Sequence, residues 1–369
     1  MKIVIDARLY GLKHAGIGRY IQNLIDQLSL LDDKNHYTII TGSKTKIIKK
    51  PQKTKIVVSD VSHYSLAEQT LFLKMLSTIE ADLFHFPHFN VPILFNRPYV
   101  VTIHDLLWHN KIGFNVTTLH PVKYLAKYFG YRLVIRKAIT NSNHIITPAE
   151  FVKNDILRHF KIDPQKISVT YESAGTVFKK KPIGTAEILK KYSLEKPFVI
   201  YTGSLYPHKN VINVARAIKL LPNYTLAIAS ARNVFMERFQ SMLKTESLDK
   251  TVEFLGFVPD EDLVAIYKHA IALVQPSNSE GFGLTGVEAM FSGLPVIASE
   301  NKVLREIYQE AALFVDSSNP NKIAQAIKKI DDDPSLKNQL LDQAQLVVKN
   351  YSWEKLARQT LEIYKKSVS

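Results

Sequence analysis

Two glutamates flank a glycine-rich stretch in the C-terminal third of the chain. Glu280 precedes Gly281-Phe282-Gly283, and Glu288 lies over a turn into the helix that we expect to begin near Gly283. A glycine-rich loop at a helix N-terminus lets backbone N–H groups approach a phosphate. Carboxylates repel phosphate but accept hydrogen bonds from sugar hydroxyls. The spacing therefore indicates a nucleotide-sugar site, and the alternative is an ordinary strand–turn–helix with solvated glutamates.

A second glycine turn carries a cation. The segment 201–210 ends a predicted strand and opens a helix, with Gly203 at the turn and His208-Lys209 near the helix start. A glycine turn followed by a cation suits a diphosphate, because the ammonium of Lys209 can offset the charge that develops on a phosphate leaving group. For His208 the alternatives are a pH-dependent contact with that ligand and a simple surface histidine.

Apolar strand-like runs alternate with amphipathic helical stretches along the whole chain, which is the pattern of an α/β protein. Strands are predicted near 2–7, 37–41, 55–59, 82–86, 99–103, 143–147 and 167–171, and in a second series near 197–202, 224–229, 252–255, 271–274, 295–298 and 312–315. Parallel sheets of this kind bind ligands at the carboxyl ends of their strands. We expect an N-terminal domain over 1–178, a hinge over 179–196, a C-terminal domain over 197–351 and a last helix over 352–369.

The stretch around Glu280 resembles the signature of the retaining glycosyltransferases of family four, the group 1 glycosyl transferases, some of which are mannosyltransferases. That signature is Glu, seven residues, Glu, then Ala-Met-x-x-Gly-x-Pro-Val-Ile, and the chain matches it from Glu280 through Ile297. Thr285 stands where the family usually has proline, and His208 stands where arginine is common. The resemblance implies the GT-B fold, two Rossmann-like doubly wound domains that face a central cleft, with the C-terminal helix crossing back to the N-terminal domain.

The resemblance assigns roles in the C-terminal domain. It implies that Lys209 and the turn hold the donor diphosphate, that Glu288 accepts hydrogen bonds from the ribose, and that Glu280 holds the sugar. The loop at Gly256 is expected to flank the nucleotide base. The full set expected to bind the donor is Gly203, His208, Lys209, Gly256, Phe282, Gly283, Leu284, Thr285 and Glu288.

The resemblance also assigns roles in the N-terminal domain. The loop Gly16-Ile17-Gly18-Arg19 resembles mannosyltransferase-like members and is expected to face the cleft near the acceptor; Arg19 as a helix-surface residue is the alternative. As a dinucleotide motif the loop lacks its third glycine.

Histidines at two strand ends complete the expected site. His104 is expected near the donor sugar, with Asp105 fixing its orientation, and a satisfied strand-end histidine is the alternative. His85 and His88 belong to the segment 84–90 at the end of another strand, which is expected to face the cleft near the acceptor. No helix motif supports a zinc site from these histidines.

Charge and composition bear on the partners. The chain has 369 residues, a net charge of +14 and no cysteine, so disulfides and thiolate metal sites are excluded. The basic, aromatic segment 120–137 fits either an anionic membrane surface or a core-facing helix with a solvated basic face. Met1 to Asp6 is predicted to be a buried strand rather than a signal peptide, and no apolar run is long enough to span a membrane. We therefore expect a cytoplasmic protein, peripheral at the inner membrane face.

The activity implied by the resemblance is transfer of a hexose, mannose being favoured, from a nucleotide sugar to a glycan or lipid-linked acceptor in the synthesis of cell-surface polysaccharide or glycolipid. GDP-mannose is the favoured donor, neither a metal nor another cofactor is expected, and nucleic acid is not an expected partner. The alternatives are a UDP- or ADP-sugar transferase with a soluble acceptor and a non-catalytic binding module on the same scaffold.

Overall fold

The computed structural model describes residues 1–110, 120–180, 184–195, 197–230 and 235–368. The chain forms two compact units. The first unit comprises Met1–Glu172 together with Ser352–Ser369, and the second comprises Ser173–Tyr351.

The first unit is built around a seven-stranded parallel sheet with the order β3-β2-β1-β4-β5-β6-β7. Its strands are β1 (Lys2–Asp6), β2 (His36–Thr41), β3 (Thr54–Val58), β4 (Leu83–Phe86), β5 (Tyr99–Thr102), β6 (His144–Thr147) and β7 (Ile167–Val169). Its first helices are α1 (Ala15–Leu31), α2 (Leu73–Ser77), α3 (Leu107–Asn110), α4 (Pro121–Asn141) and α5 (Glu150–His159). A π-helical turn over Glu68–Phe72 leads directly into α2.

The second unit repeats this plan with a six-stranded parallel sheet of order β10-β9-β8-β11-β12-β13. Its strands are β8 (Phe198–Thr202), β9 (Thr225–Ala229), β10 (Val252–Gly256), β11 (Leu273–Gln275), β12 (Val296–Ser299) and β13 (Ala312–Val315). Its helices are α6 (Thr185–Lys191), α7 (Val211–Lys219), α8 (Met236–Thr245), α9 (Asp260–His269), α10 (Leu284–Phe291), α11 (Lys302–Tyr308), α12 (Pro320–Asp332) and α13 (Pro334–Val347). The fold class predicted from the sequence, two doubly wound parallel α/β domains, is therefore confirmed.

The last helix, α14 (Trp353–Val368), belongs to the first unit, as predicted. Ser352 caps it by accepting a hydrogen bond from the N–H of Lys355 at 3.3 Å. On its buried face, the hydroxyl of Tyr364 lies 2.6 Å from the Nδ1 atom of His85 in β4. The end of the chain is therefore part of the first unit's core.

The boundary between the units differs from the expected domain limits. Residues 173–178 belong to the second unit, because Phe178 is buried there against Tyr267 with ring centroids 6.2 Å apart. Within the expected hinge, α6 also lies in the second unit, where Lys191 pairs with Asp262 at 2.7 Å. The chain thus crosses between the units after Glu172, several residues earlier than the sequence indicated.

Each sheet reverses its strand order next to its first strand. This reversal lies between β1 and β4 in the first unit and between β8 and β11 in the second. Loops that follow the carboxyl ends of these strands are where doubly wound sheets bind ligands. Lys209 and Glu280 follow such strands in the second unit, and the segment 87–90 does so in the first, where Gly16 and Gly18 lie in the first turn of α1, the helix that follows β1.

None of the helices in the described part of the chain combines the length and apolar character that crossing a membrane requires.

Candidate functional site

An ion pair lies at the carboxyl ends of β8 and β11. The Nζ atom of Lys209 donates to the Oε1 atom of Glu280 at 2.7 Å. The amide of Gln275, the last residue of β11, donates to the same carboxylate oxygen at 3.0 Å. Both charged side chains are mostly withdrawn from solvent, with 20% of Lys209 and 11% of Glu280 exposed. The structure therefore brings two predicted site residues from separate loops into direct contact.

Glu280 is held in its ionised form. Burial acts to raise the pKa of its carboxyl, but the positive charge of Lys209 and hydrogen bonds from Lys209, Ser277 and Gln275 outweigh burial, so the pKa is lowered. The carboxylate is thus an acceptor only, fit to receive hydrogen bonds from hydroxyl groups.

The turn before α10 needs glycine for two reasons. Gly283 caps the helix with a φ of 93°, in the left-handed region that other residues avoid. A Cβ atom at this position would lie 2.5 Å from the hydroxyl of Tyr308 and 2.6 Å from the side chain of Leu304. The Tyr308 hydroxyl donates to the carbonyl oxygen of Gly283 at 2.5 Å, which fixes the turn. Sequence reasoning missed Tyr308, because it lies 25 residues beyond the turn and in another helix.

The other donor-site residues of this segment differ in their surroundings. Glu288 lies on α10 and is only 2% exposed, and the ring of Phe282 is buried against Tyr351 with centroids 5.5 Å apart. Thr285 is partly exposed, and its hydroxyl donates to the side-chain oxygen of Gln275 at 3.4 Å. Leu284 opens the helix and is also partly exposed. The Phe282 side chain is therefore core, and only its backbone belongs to the turn.

The loop after β8 is tied to the loop after β11. Gly203 follows β8 directly, and Pro207–Lys209 form a 3-10 turn that presents Lys209. The carbonyl oxygen of His208 accepts the N–H of Asn278 at 2.8 Å. The ring of His208 is stacked on Tyr206, with centroids 5.7 Å apart. Gly256 ends β10, at the neighbouring carboxyl edge of the same sheet.

In the first unit, Gly16–Arg19 lie in α1 rather than in a loop, and the segment from Gly11 to Gly18 is closed by contact between its two ends. The N–H of Gly11 donates to the carbonyl oxygen of Gly18 at 3.3 Å, and a Cβ atom on Gly18 would lie 1.9 Å from the Gly11 oxygen. Gly18 is therefore required by packing. Gly16 is exposed with open space beside it, and Arg19, in the second turn of α1, is partly buried.

His104 is oriented by a residue other than the expected one. Its Nδ1 atom lies 3.3 Å from the carboxylate of Glu172, and its Nε2 atom lies 3.0 Å from the carbonyl oxygen of Pro87. The carboxylate of Asp105 instead accepts the N–H of Leu107 at 2.9 Å and caps α3. The prediction that Asp105 orients His104 was therefore wrong, because a short acidic side chain before a helix meets the backbone donors of its first turn.

His85 is a core residue, which contradicts its expected exposure to the acceptor. Its ring is 1% exposed, with Nδ1 next to Tyr364 and Nε2 2.9 Å from the hydroxyl of Thr102. Burial lowers the pKa of His85 to about 3, with a smaller contribution from the charge of His104. Both ring nitrogens are used within the fold.

A buried charge network beside β1 was also missed by the sequence reasoning. Arg8 donates to both oxygens of Asp6, at 2.9 and 2.7 Å, and to Glu68 at 2.9 Å. Asn90 donates to the second oxygen of Glu68 at 3.0 Å. Such a network is costly to bury and fixes its neighbours once every partner is in place. The Asp-x-Arg spacing after β1 was its one visible signal.

Within the part of the chain that the structure describes, no cluster of three or more His, Asp or Glu side chains is arranged to hold a metal ion.

The sequence matches two family models that together span most of the chain. The model described as Glycosyltransferase Family 4 matches residues 14–172, and the model described as Glycosyl transferases group 1 matches residues 186–347. The chain belongs to the family-four, group 1 glycosyltransferases. The resemblance stated from the Glu280–Glu288 segment is thereby confirmed, and glycosyl transfer is the activity of this family.

Individual relatives of this glycosyltransferase extend the comparison. O-antigen chain mannosyltransferase B of Escherichia coli is 26% identical, over 99% of this chain and 100% of that protein. O-antigen chain mannosyltransferase RfbU of Salmonella typhimurium is 29% identical, over 67% of this chain and 64% of that protein. The solved sucrose-phosphate synthase from Thermosynechococcus elongatus superimposes with a TM-score of 0.79 at 20% identity, over 99% of this chain and 98% of that chain. This last likeness shows that the two proteins share the GT-B fold.

Proposed function

We propose that this glycosyltransferase moves a hexose, with mannose from GDP-mannose favoured, to a glycan or lipid-linked acceptor, with retention of anomeric configuration and without a metal. The Lys209–Glu280 ion pair carries the proposal. It joins the loops that follow β8 and β11, the strands at which the second sheet reverses its order, and Glu280 is the first residue of the family signature.

The ion pair suggests how the donor is received. A diphosphate carries more negative charge than one carboxylate, so it competes with Glu280 for the ammonium of Lys209. Glu280 remains ionised because its pKa is lowered, and once released it accepts hydrogen bonds from the sugar hydroxyls. Glu288 is proposed to accept hydrogen bonds from the ribose, and Gly203, His208 and Gly256 to line the rest of the donor site.

Metal independence is proposed from the residues around the ion pair. We propose that Lys209 and the first N–H groups of α10 face the leaving diphosphate and supply the stabilisation that a metal gives elsewhere. The nucleoside diphosphate is proposed to leave from the face at which the acceptor attacks. His104 is proposed to exchange one of its two protein partners for a hydroxyl of the sugar.

The donor sugar and the acceptor class are proposed from the relatives. The two bacterial proteins above carry names that specify mannose and the O-antigen chain, and both align with this chain over at least two thirds of its length. We therefore favour synthesis of a cell-surface polysaccharide or glycolipid, with acceptor contacts at Gly16, Gly18 and Arg19. A cytoplasmic site at the inner membrane face fits such a lipid-linked acceptor.

Helix α4 is the proposed membrane contact. Leu125, Phe129 and Leu133 recur every four residues along it and are 45%, 65% and 61% exposed. Arg132 and Arg136 are exposed beside them. An apolar stripe flanked by arginines is suited to an anionic bilayer surface.

Calorimetric binding and slow hydrolysis against GDP-mannose, UDP-glucose, UDP-GlcNAc, UDP-galactose and ADP-glucose test the donor. We expect one nucleotide sugar to bind and to be hydrolysed. Lys209→Met should abolish both, whereas Lys250→Met, which removes an exposed lysine of the same unit, should change neither. Binding that survives Lys209→Met would contradict the site, and preference for a UDP- or ADP-sugar would replace mannose with the alternative donor.

A further inference from the structure

Tyr64 holds a backbone conformation that tyrosine rarely adopts. Its φ is 61°, in the left-handed region, while its side chain is 58% exposed. A bulky residue held there is strained, and the conformation persists only where the surroundings fix it. Burial of the ring cannot offset this backbone strain, because more than half of the side chain is exposed.

The buried network beneath Tyr64 fixes this conformation. The N–H of Tyr64 donates to Glu68 at 2.9 Å, and Glu68 is 1% exposed. Glu68 is in turn held by Arg8 and Asn90, and Arg8 is locked onto Asp6 at the end of β1. The backbone of an exposed aromatic residue is thus tied directly to a buried ionic network.

Further rings are placed against Tyr64. Its ring lies at right angles to that of His88, with centroids 6.0 Å apart, and 5.9 Å from that of Phe89. Phe89 contacts Tyr131 of α4 edge-on at 5.2 Å. Asn90, which also holds Glu68, lies 2.6 Å from the Nδ1 atom of His88. We call Tyr64, His88, Phe89 and Tyr131 the aromatic cluster.

The aromatic cluster lies where a ligand of the first sheet is expected. His88 and Phe89 follow β4, and Arg8 follows β1, so the cluster is anchored to the two strands between which the strand order reverses. This is the carboxyl edge that doubly wound sheets use for binding. None of these four residues has a role in the proposed donor site.

We propose that the aromatic cluster is a subsite for a sugar of the acceptor, with the ring of Tyr64 stacking on the apolar face of a pyranose. An aromatic face suits the C–H groups of a sugar, and the polar tip of the tyrosine suits its hydroxyls. The Tyr64 hydroxyl lies 3.5 Å from the Nε2 atom of His88, so two polar groups meet at the edge of this platform. The inference rests on the proposed function, because it supposes that the acceptor is a glycan.

Saturation-transfer NMR with methyl glycosides tests the subsite. The probes are the methyl pyranosides of mannose, glucose, galactose and N-acetylglucosamine, each added with the nucleoside diphosphate of the donor that binds. Tyr64→Asn removes the ring but keeps a residue that tolerates positive φ, and Tyr64→Gly is the second ring-free variant. Tyr64→Phe keeps the ring, and Leu30→Asn changes an exposed apolar residue of α1 as a control.

We expect one glycoside to bind, and its dissociation constant to rise about fivefold to tenfold in Tyr64→Asn and Tyr64→Gly. Tyr64→Phe and Leu30→Asn should stay within about twofold of the wild type, and donor affinity should not change in any variant. The stacking subsite would be overturned if removal of the ring left the dissociation constant of the glycoside unchanged. It would also be overturned if Tyr64→Phe and Tyr64→Asn weakened binding equally. A protein that binds its donor but none of the glycosides would overturn it as well. Failure to bind any donor would instead contradict the proposed function.

Discussion

At the scale of single residues, Glu280 shows how one carboxylate is prepared for a ligand. The carboxylate of Glu280 accepts hydrogen bonds from both Lys209 and Gln275. The side-chain oxygen of the same Gln275 contacts the hydroxyls of Thr285 and Tyr308. One residue of β11 therefore connects the acid, the turn of α10 and α11. A change at Glu280 alters the charge of the site while this scaffold of Gln275 and Tyr308 stays in place.

Glu280→Gln should separate turnover from donor binding. The amide keeps the shape of the side chain but cannot hold the charge, so the interaction with the sugar weakens while Lys209 becomes more available to the diphosphate. We expect kcat to fall about 10²- to 10³-fold, the loss typical of one electrostatic contact in an active site. Donor affinity should be equal to or tighter than that of the wild type, as calorimetry can measure.

Glu300→Gln is the matched control, because Glu300 is an exposed glutamate of the same unit that pairs with Arg305. It should leave kcat unchanged. A Glu280→Gln enzyme with full turnover would show that the carboxylate is structural.

The residues that orient the site were the hardest to predict. The family resemblance pointed to Glu280, Glu288 and Lys209, because each lies within a recognisable local pattern. Glu172 and Tyr308 contact His104 and Gly283 from far along the chain, and only the folded sheet brings them together. The prediction for Asp105 was wrong because a residue next to His104 in the sequence was assumed to contact its side chain.

At the scale of elements, the start of α10 offers a comparison of two glycines with positive φ. Gly283 precedes the helix at 93° and Gly293 follows it at 71°. A Cβ atom at Gly283 would collide with Tyr308 and Leu304, whereas at Gly293 the nearest atom is the Lys268 Nζ at 3.6 Å. The two positions therefore share backbone strain and differ in steric overlap.

Gly293→Ala should destabilise the second unit by roughly 1–2 kcal/mol, the cost of a left-handed residue. Gly283→Ala should cost roughly 2–5 kcal/mol, because overpacking adds to that strain. Urea unfolding followed by circular dichroism measures both. Trp108 and Trp353, the two tryptophans of the chain, lie in the first unit, so their fluorescence should not follow the affected transition. Equal losses in the two variants would contradict the steric argument.

Helix α4 should bind anionic vesicles through its apolar stripe. We expect the wild-type protein to sediment with vesicles containing phosphatidylglycerol and to be released by salt, because arginine contacts with lipid headgroups are screened. The double variant Phe129→Ser, Leu133→Ser should lose most of this binding.

Leu30→Ser, at a 73% exposed position of α1, is the control and should sediment like the wild type. Sedimentation of the double variant at wild-type levels would place membrane contact elsewhere, and the absence of sedimentation in the wild type would remove the membrane proposal.

At the scale of the whole molecule, the strand pattern predicted both sheets because each strand is a short buried run between helices. The domain boundary was less predictable, because a lysine-rich stretch resembles a linker whether or not it packs. Phe178 is the residue that decides it: its burial against Tyr267 assigns the stretch before α6 to the second unit. A single aromatic residue in a lysine-rich stretch does not predict a domain boundary from the sequence, whereas its burial in the structure shows to which unit the stretch belongs.

The two units should respond differently to acid. Burial lowers the pKa of His85 and His88 to about 3 and that of His63, His109 and His144 to about 4, from an ordinary 6.5, and all five belong to the first unit. Because the unfolded chain takes up protons below pH 6.5 while these folded histidines do not, their stabilisation is complete above pH 6.5 and is lost as the pH falls towards their folded pKa values. At pH 5, His85 alone should cost roughly 2 kcal/mol.

Thermal unfolding at pH 7, 6 and 5 therefore should show the tryptophan-detected transition of the first unit moving to lower temperature at each step. His85→Gln removes one titrating group, so this variant should be less stable at pH 7 but should lose less stability than the wild type between pH 7 and pH 5. The buried histidine would then have a measurable structural role, since its neutral ring joins Tyr364 of α14 to Thr102 of β5. A pH dependence identical in the variant and the wild type would mean that folding does not change the pKa of His85.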